Sequence, residues 1–153
     1  MKKLYVVGNK ASKSLSPTIF NYWFKKYNIK ASYGYLELTE KNFHKKIKEV
    51  LEKKDTLGLN VTIPFKNKII KHLGKIDAHA KKIGAVNCVT NKKTINGTNT
   101  DWTGYYKTLP NIKQTKNRKV IILGYGGASH AIHYVLKKRG FKDILIFNRS
   151  KKK

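Results

Sequence analysis

Acids are scarce in this sequence, 8 Asp and Glu against 34 Lys and Arg, so a carboxylate that could pair with a chemically useful cation stands out. Asp101 lies in "NGTNTDWTGY", and Lys66 closes "NVTIPFK", just past a buried-looking strand and a proline. Open α/β sheets bind ligands beyond the carboxyl ends of their strands. A lysine there can carry a proton, and a carboxylate beside it would hold the ammonium and tune its proton affinity. The plainer alternatives are that Lys66 is one lysine among many, and that Thr100 or Asp101 caps a helix opening at Trp102. Asn87, in "GAVNCV", could donate and accept hydrogen bonds to a hydroxylated ligand, or close a turn at a strand end.

A second chemical signal is "ILGYGGAS", which sets Gly124, Gly126 and Gly127 between an apolar run and a helix. Glycines let the backbone turn sharply and approach a pyrophosphate, while the helix N-terminus offers unpaired N–H groups and the positive end of its dipole. With a strand on either side, the loop points to a dinucleotide. The following strand ends "FNRS", with no carboxylate after Asp143 and with Arg149 at its tip. A ribose 2′-hydroxyl normally meets an acid there, whereas a 2′-phosphate needs a cation, so the pattern favours NADP. In a lysine-rich chain Arg149 could equally be one more solvated cation. Near the start, "GNKASKSLSPTIFN" places Ser14 and Ser16 ahead of Pro17. Pro17 suits a first helical turn and Ser16 the cap before it, but Ser14 lies too far back to cap the same helix.

These residues need a frame, and hydrophobic period supplies one. "LYVVG" at 4–8 reads as a buried strand, and "PTIFNYWFKKYN" then puts Ile19, Phe20, Trp23, Phe24 and Tyr27 on one helical face. A strand at 31–38 and a helix with Thr39 as N-cap and Phe43, Ile47, Val50 and Leu51 as its stripe repeat the pattern. "TLGLNVTIPFK" is a third strand that must end by Pro64. A helix over about 67–82 follows, then two short strands around a polar turn at 91–93, with Asn96-Gly97 as a second turn signal. Strands alternating with helices predict a mostly parallel α/β sheet. A polar stretch from 111 marks a boundary, and beyond it one complete βαβ unit runs to the end.

Composition narrows the class. Hydrophobic residues make up 40% of the chain, so it should fold despite a formal charge of +26. Such charge suggests nucleic acid, yet the lysines run from Lys2 to Lys153 without forming one basic arm. A positive field draws in small anionic ligands as well. Cys88 is the sole cysteine, which excludes an intramolecular disulfide. The apolar run "LYVV" is too short for a leader's core and no segment has the length of a membrane span, so the cytoplasm is the expected compartment.

Taken in order, "SLSP" (14–17), "NVTIPFK" (60–66), "GAVN" (84–87), "NTD" (99–101) and "GYGGAS" (124–129), followed by "NRS" (148–150), resemble the shikimate dehydrogenase family from Val6 onward. The resemblance implies a mostly parallel α/β shikimate-binding catalytic domain at 1–110, a linker at 111–118 and, at 119–153, the start of a Rossmann-type NADP-binding domain. It implies that Lys66 and Asp101 are the catalytic pair and that Ser14 and Ser16 bind the substrate carboxylate. Thr62, Lys66, Asn87 and Asp101 would contact the ring hydroxyls. The NADP loop falls on Gly124, Tyr125, Gly126, Gly127, Ala128 and Ser129, with Asn148, Arg149 and Ser150 at the adenosine ribose and its 2′-phosphate. The implied reaction is NADP-dependent reduction of 3-dehydroshikimate to shikimate, with no metal, since Cys88 and the histidines lack ligand spacing. Expected partners are small molecules, with no specific nucleic acid and no membrane; a homodimer is left open. Family members continue well past this length, so the cofactor half is expected to be incomplete, with an exposed sheet that is unstable or sticky. A quinate/shikimate dehydrogenase and a non-catalytic shikimate-binding module are the alternatives. On this reading Ser16 serves both cap and ligand, and Ser14 the ligand alone.

Overall fold

A computed structural model describes residues 1–109 and 118–149. The first lobe alternates strands and helices: β1 (Lys2–Gly8), α1 (Ser16–Lys26), β2 (Ala31–Glu37), α2 (Phe43–Leu51) and β3 (Thr56–Val61). It continues through β4 (Lys75–Ile76), α3 (Ala78–Ile83), β5 (Cys88–Asn91), β6 (Ile95–Thr98) and α4 (Asp101–Thr108). Its sheet has the order β2-β1-β3-β5-β6-β4. β1 runs parallel to β2 and β3, and β4 parallel to β6, while β5 is antiparallel to both its neighbours. A separate parallel pair, β7 (Lys119–Leu123) and β8 (Asp143–Phe147), is joined by α5 (Gly127–Lys138). This is the mostly parallel α/β architecture expected, ending in one βαβ unit.

The core forms where the sequence period says it should. Val6 and Val7 of β1 point to opposite faces and are both buried, as in a central strand covered on two sides. Phe43, Ile47, Val50 and Leu51 close α2 over Val7, Leu59 and Val61. Several local expectations are corrected. Thr39 does not cap α2: its own N–H donates to Asn42 Oδ1 at 2.9 Å, which closes a turn and delays the helix to Phe43. The single helix expected over 67–82 is broken into a 3-10 turn (Lys68–His72), β4 and α3. Gly74 and Asp77 cause the break, because their N–H groups donate to Ile95 and Gly97 carbonyls of β6 and lay residues 75–76 along that strand. Asp77 Oδ1 then accepts from the N–H groups of His79 and Ala80 and restarts the helix.

Asn96-Gly97 is no turn but lies within β6. A Cβ at Gly97 would press on Leu73 Cδ1 and sit 3.1 Å from both Val86 methyls, so close packing and not chain reversal favours glycine there. On α1, Phe20 and Phe24 pack on Val6, Ala11 and Tyr33, whereas Ile19, Trp23 and Tyr27 stay exposed. At roughly 100° per residue the five span an arc wider than the sheet beneath them can cover. In the second lobe α5 buries Ala131, Val135 and Leu136. Ile121, Leu123 and Phe147 of the two strands are exposed, as expected of a sheet with a helix on one face. The linker read at 111–118 lies, apart from Arg118, outside the described residues.

Candidate active site

The site forms where β1 and β3 end side by side. The Thr62 N–H donates to Val7 O, and a Cβ at Gly8 would meet Thr62 Cγ2 at 2.5 Å, so glycine lets the two strand ends close up and aims Thr62 into the cleft. Phe65, fully buried and stacked on Phe43 at 4.2 Å, anchors the chain immediately before Lys66. Lys66 emerges from that anchor with its side chain only 12% exposed, and its Nζ donates to Asp101 Oδ2 at 2.7 Å. Asp101 is held from the other side, where Oδ1 accepts from Asn87 Nδ2 at 2.8 Å. Asn87 Oδ1 accepts in turn from the Thr100 N–H at 2.8 Å. Asp101 also opens α4, where a carboxylate is favoured by the helix dipole.

Neither Thr100 nor Asp101 caps α4 through its side chain. Buried Asn99 holds that joint, donating to Ala85 O at 2.9 Å and accepting from the Trp102 N–H. Ser14, Ser16, Thr62, Lys66, Asn87 and Asp101 all line one cleft of about 510 Å³. Ser16 is the first residue of α1 and makes no side-chain cap; the cap position falls on Leu15. Ser14 Oγ instead accepts from the Ser16 N–H at 3.2 Å and donates to Ser16 Oγ at 3.1 Å. The structural role expected of Ser16 therefore sits on Ser14, because the turn before the helix folds Ser14 back onto it.

Three groups in or under the cleft escaped sequence reasoning. Lys10 and Lys13 edge the cleft and add positive charge beside the serines. Tyr33 is buried beneath it, donating to Asn60 Oδ1 at 2.6 Å. Burial pushes the Tyr33 hydroxyl up to about 12, with Cys88 adding to the rise and Ser16 working against it. Tyr33 alternates with its strand neighbours like any inward residue, so only the assembled sheet reveals what its hydroxyl meets.

The glycine loop lies across a second, smaller cleft of about 260 Å³, lined by Gly126, Gly127, Ala128 and Ser129 on one side and by Ile63, Pro64, Lys66 and Asn67 on the other. Gly124 has φ 88°, and its N–H donates to Phe147 O at 2.7 Å. The Tyr125 N–H meets Asn148 Oδ1 at 3.3 Å, and the Tyr125 hydroxyl shares a hydrogen bond with His133. Built Cβ atoms at Gly124 and Gly126 meet nothing within 4 Å, so the loop borders open space, as a phosphate cradle requires. Arg149 is exposed just past β8, and Ser150 lies outside the described residues. Lys66 thus lines both clefts, and among the described residues no three metal-ligating side chains gather.

An open α/β lobe with its cleft at the strand ends, joined to the first βαβ unit of a Rossmann-type fold, defines the class of protein. Residues 6–89 match the family model described as shikimate dehydrogenase substrate binding domain, and the chain belongs to the shikimate dehydrogenase family. It is 36% identical over 148 residues, 97% of its length, to the shikimate dehydrogenase (NADP(+)) of Thermotoga maritima, of which it covers 55%. Among solved structures, that of shikimate dehydrogenase from Aquifex aeolicus superposes with TM-score 0.86 at 36% identity, covering 99% of this chain and 57% of that one. The Thermus thermophilus enzyme in complex with NADP(H) and shikimate gives TM-score 0.80 at 28% identity, over 98% and 57% of the two chains. The chain therefore spans about half the length of the relatives it matches. No helix among the described residues is long and apolar enough to cross a membrane.

Proposed function

We propose that this chain is the shikimate-binding lobe (1–110), connecting segment (111–118) and first nucleotide-binding unit (119–153) of an NADP-dependent shikimate dehydrogenase. The observation that carries the reading is the Lys66–Asp101 pair at 2.7 Å, set where the two clefts meet. The hydroxyls of Ser14 and Ser16 take the substrate carboxylate, assisted by the field of Lys10 and Lys13. Thr62, Asn87 and Asp101 hold the ring hydroxyls. Lys66 gives a proton to the oxygen that develops charge as the ketone is reduced, and takes it back in the reverse direction. Asp101 keeps the ammonium in reach, and Asn87 keeps Asp101 turned toward it.

The residues of the loop fit a dinucleotide: open glycines, a helix N-terminus and, at the end of β8, Arg149 without a neighbouring carboxylate. Residues 124–129 would hold its pyrophosphate, with Asn148, Arg149 and Ser150 at the ribose phosphate. When bound, NADP supplies the hydride. The proposed setting is cytoplasmic, and a homodimer is the assembly that sedimentation would test.

Calorimetric titration with shikimate, alongside NADP+ reduction followed by nicotinamide absorbance, tests the proposal. Binding in the parent chain that weakens at least tenfold in Ser14→Ala, with turnover lost in Lys66→Ala, supports it; absence of shikimate binding overturns it. The coverage of about half of each relative favours a second reading, a module that holds shikimate without turnover. Binding that survives Lys66→Ala, with no hydride transfer by the parent, would select that one.

A further inference from the structure

The helix that carries the glycine loop is tied to the first lobe along one face. At its start a Cβ on Gly127 would sit 2.9 Å from Lys66 Cβ, so glycine lets the helix end rest on the lysine stem. One turn on, a His130 ring nitrogen approaches Ile83 O at 3.2 Å, and a further turn on the Tyr134 hydroxyl meets His79 Nδ1 at 2.7 Å. Positions 127, 130 and 134 share a helical face. The last contact is the most elaborate. The His79 ring stacks on Trp102 at 4.3 Å, and Tyr134 meets the same indole edge-on at 5.8 Å, over a floor of Ile83, Ala85 and Ala131. His79 comes from α3, Tyr134 from α5, and Trp102 from α4, directly after Asp101.

We propose that His79, Trp102 and Tyr134 form the joint that sets the angle between the two lobes, and so the placement of the glycine loop against Lys66 and Asp101. They are positioning residues. Tyr134 lies seven residues along α5 from Gly127, about 10 Å at 1.5 Å per residue. A tilt of about 10° at the joint therefore moves the helix N-terminus by roughly 2 Å, more than the slot against Lys66 tolerates. Because Trp102 follows Asp101, the same movement pulls on the carboxylate. The importance of this placement rests on the proposed function, but the joint can be tested without substrate or nucleotide.

In a Cys88→Ser, Trp23→Phe background, cysteines at Ile63 and Ala128, which line opposite sides of the smaller cleft, are cross-linked with a short bis-maleimide. Tyr134→Phe removes one oxygen and His79→Gln removes the stacked ring. Each is expected to slow cross-linking at least threefold and to change the emission of Trp102, with unchanged far-ultraviolet circular dichroism. A fall in melting temperature with an unchanged cross-linking rate would make the contact a stabilising one only and overturn the proposal, as would no change in either. If Tyr134→Phe unfolds, His79→Gln carries the same comparison. Loss of shikimate binding in the parent would refute the proposed function while leaving this result untouched.

Discussion

Asp101→Asn probes the centre of the site with almost no change in shape. Asp101 Oδ2 accepts from Lys66 and Oδ1 from Asn87, so both of its oxygens face donors. An amide can satisfy only one of them: its NH2 either opposes the ammonium or opposes the Asn87 amide. In the first orientation the ammonium, only 12% exposed, lies against a donor with little water to replace the lost partner; in the second it keeps an oxygen but loses its counter-charge, the replaced side chain having been 31% exposed. Exposed pairs are worth about 0–1 kcal/mol and breaking buried ones costs about 3–5 kcal/mol, so this half-buried pair should cost about 1–2 kcal/mol. Urea unfolding followed by tryptophan fluorescence measures the loss. Lys66→Met and the double variant complete a cycle, and the double variant should recover part of the stability because no charge is left stranded. A coupling energy below about 0.3 kcal/mol would refute the argument that the two groups depend on one another.

Three further outcomes follow from other contacts. Ser14→Ala should cost about 0.5–1.5 kcal/mol in chemical denaturation and Ser16→Ala clearly less, since Ser14 Oγ accepts the Ser16 N–H; equal losses would count against that assignment. Gly58→Ala forces a Cβ to 2.5 Å from Val89 O, a backbone atom that cannot swing away, and should cost about 1–3 kcal/mol, whereas Gly104→Ala, with nothing near, should gain up to about 1 kcal/mol from helix propensity. Thermal melts of the two variants moving together would contradict this. Tyr33 is held neutral up to about 12, so the unfolded chain loses that proton first, near pH 10, and stability falls between about pH 10 and 12. Tyr33→Phe should flatten that part of the stability curve, and an unchanged slope would show that Tyr33 does not govern it.

Much of the site was legible because its parts are local. The glycine loop, the strand before it and the helix after it are neighbours in sequence, and so are Thr62, Pro64 and Lys66 at one strand end. The stripe of α2 follows from a 3.6-residue period alone. Two of the misreadings share a cause, which is competition from partners distant in the chain. Residues 75–76 have no reason to leave a helix until β6 offers its carbonyls, and Asn96-Gly97 signals a turn until Leu73 and Val86 press on it. The two cap misreadings are local instead: the turn at residues 11–13 brings Ser14 beneath Ser16, and Asn42 takes the Thr39 N–H.

By itself the sequence determined the alternation of strands and helices, the α2 stripe buried in the core, and the residue types placed at strand ends, because these depend on spacing within a few residues. Only the tertiary structure decided that Lys66 meets Asp101, that Tyr33 sits under the cleft, and that His79, Trp102 and Tyr134 converge from three helices. The physical reason is chain separation. Lys66 and Asp101 are 35 residues apart and His79 and Tyr134 are 55 apart, and side chains so distant meet only after sheet order and helix packing have closed the loops between them.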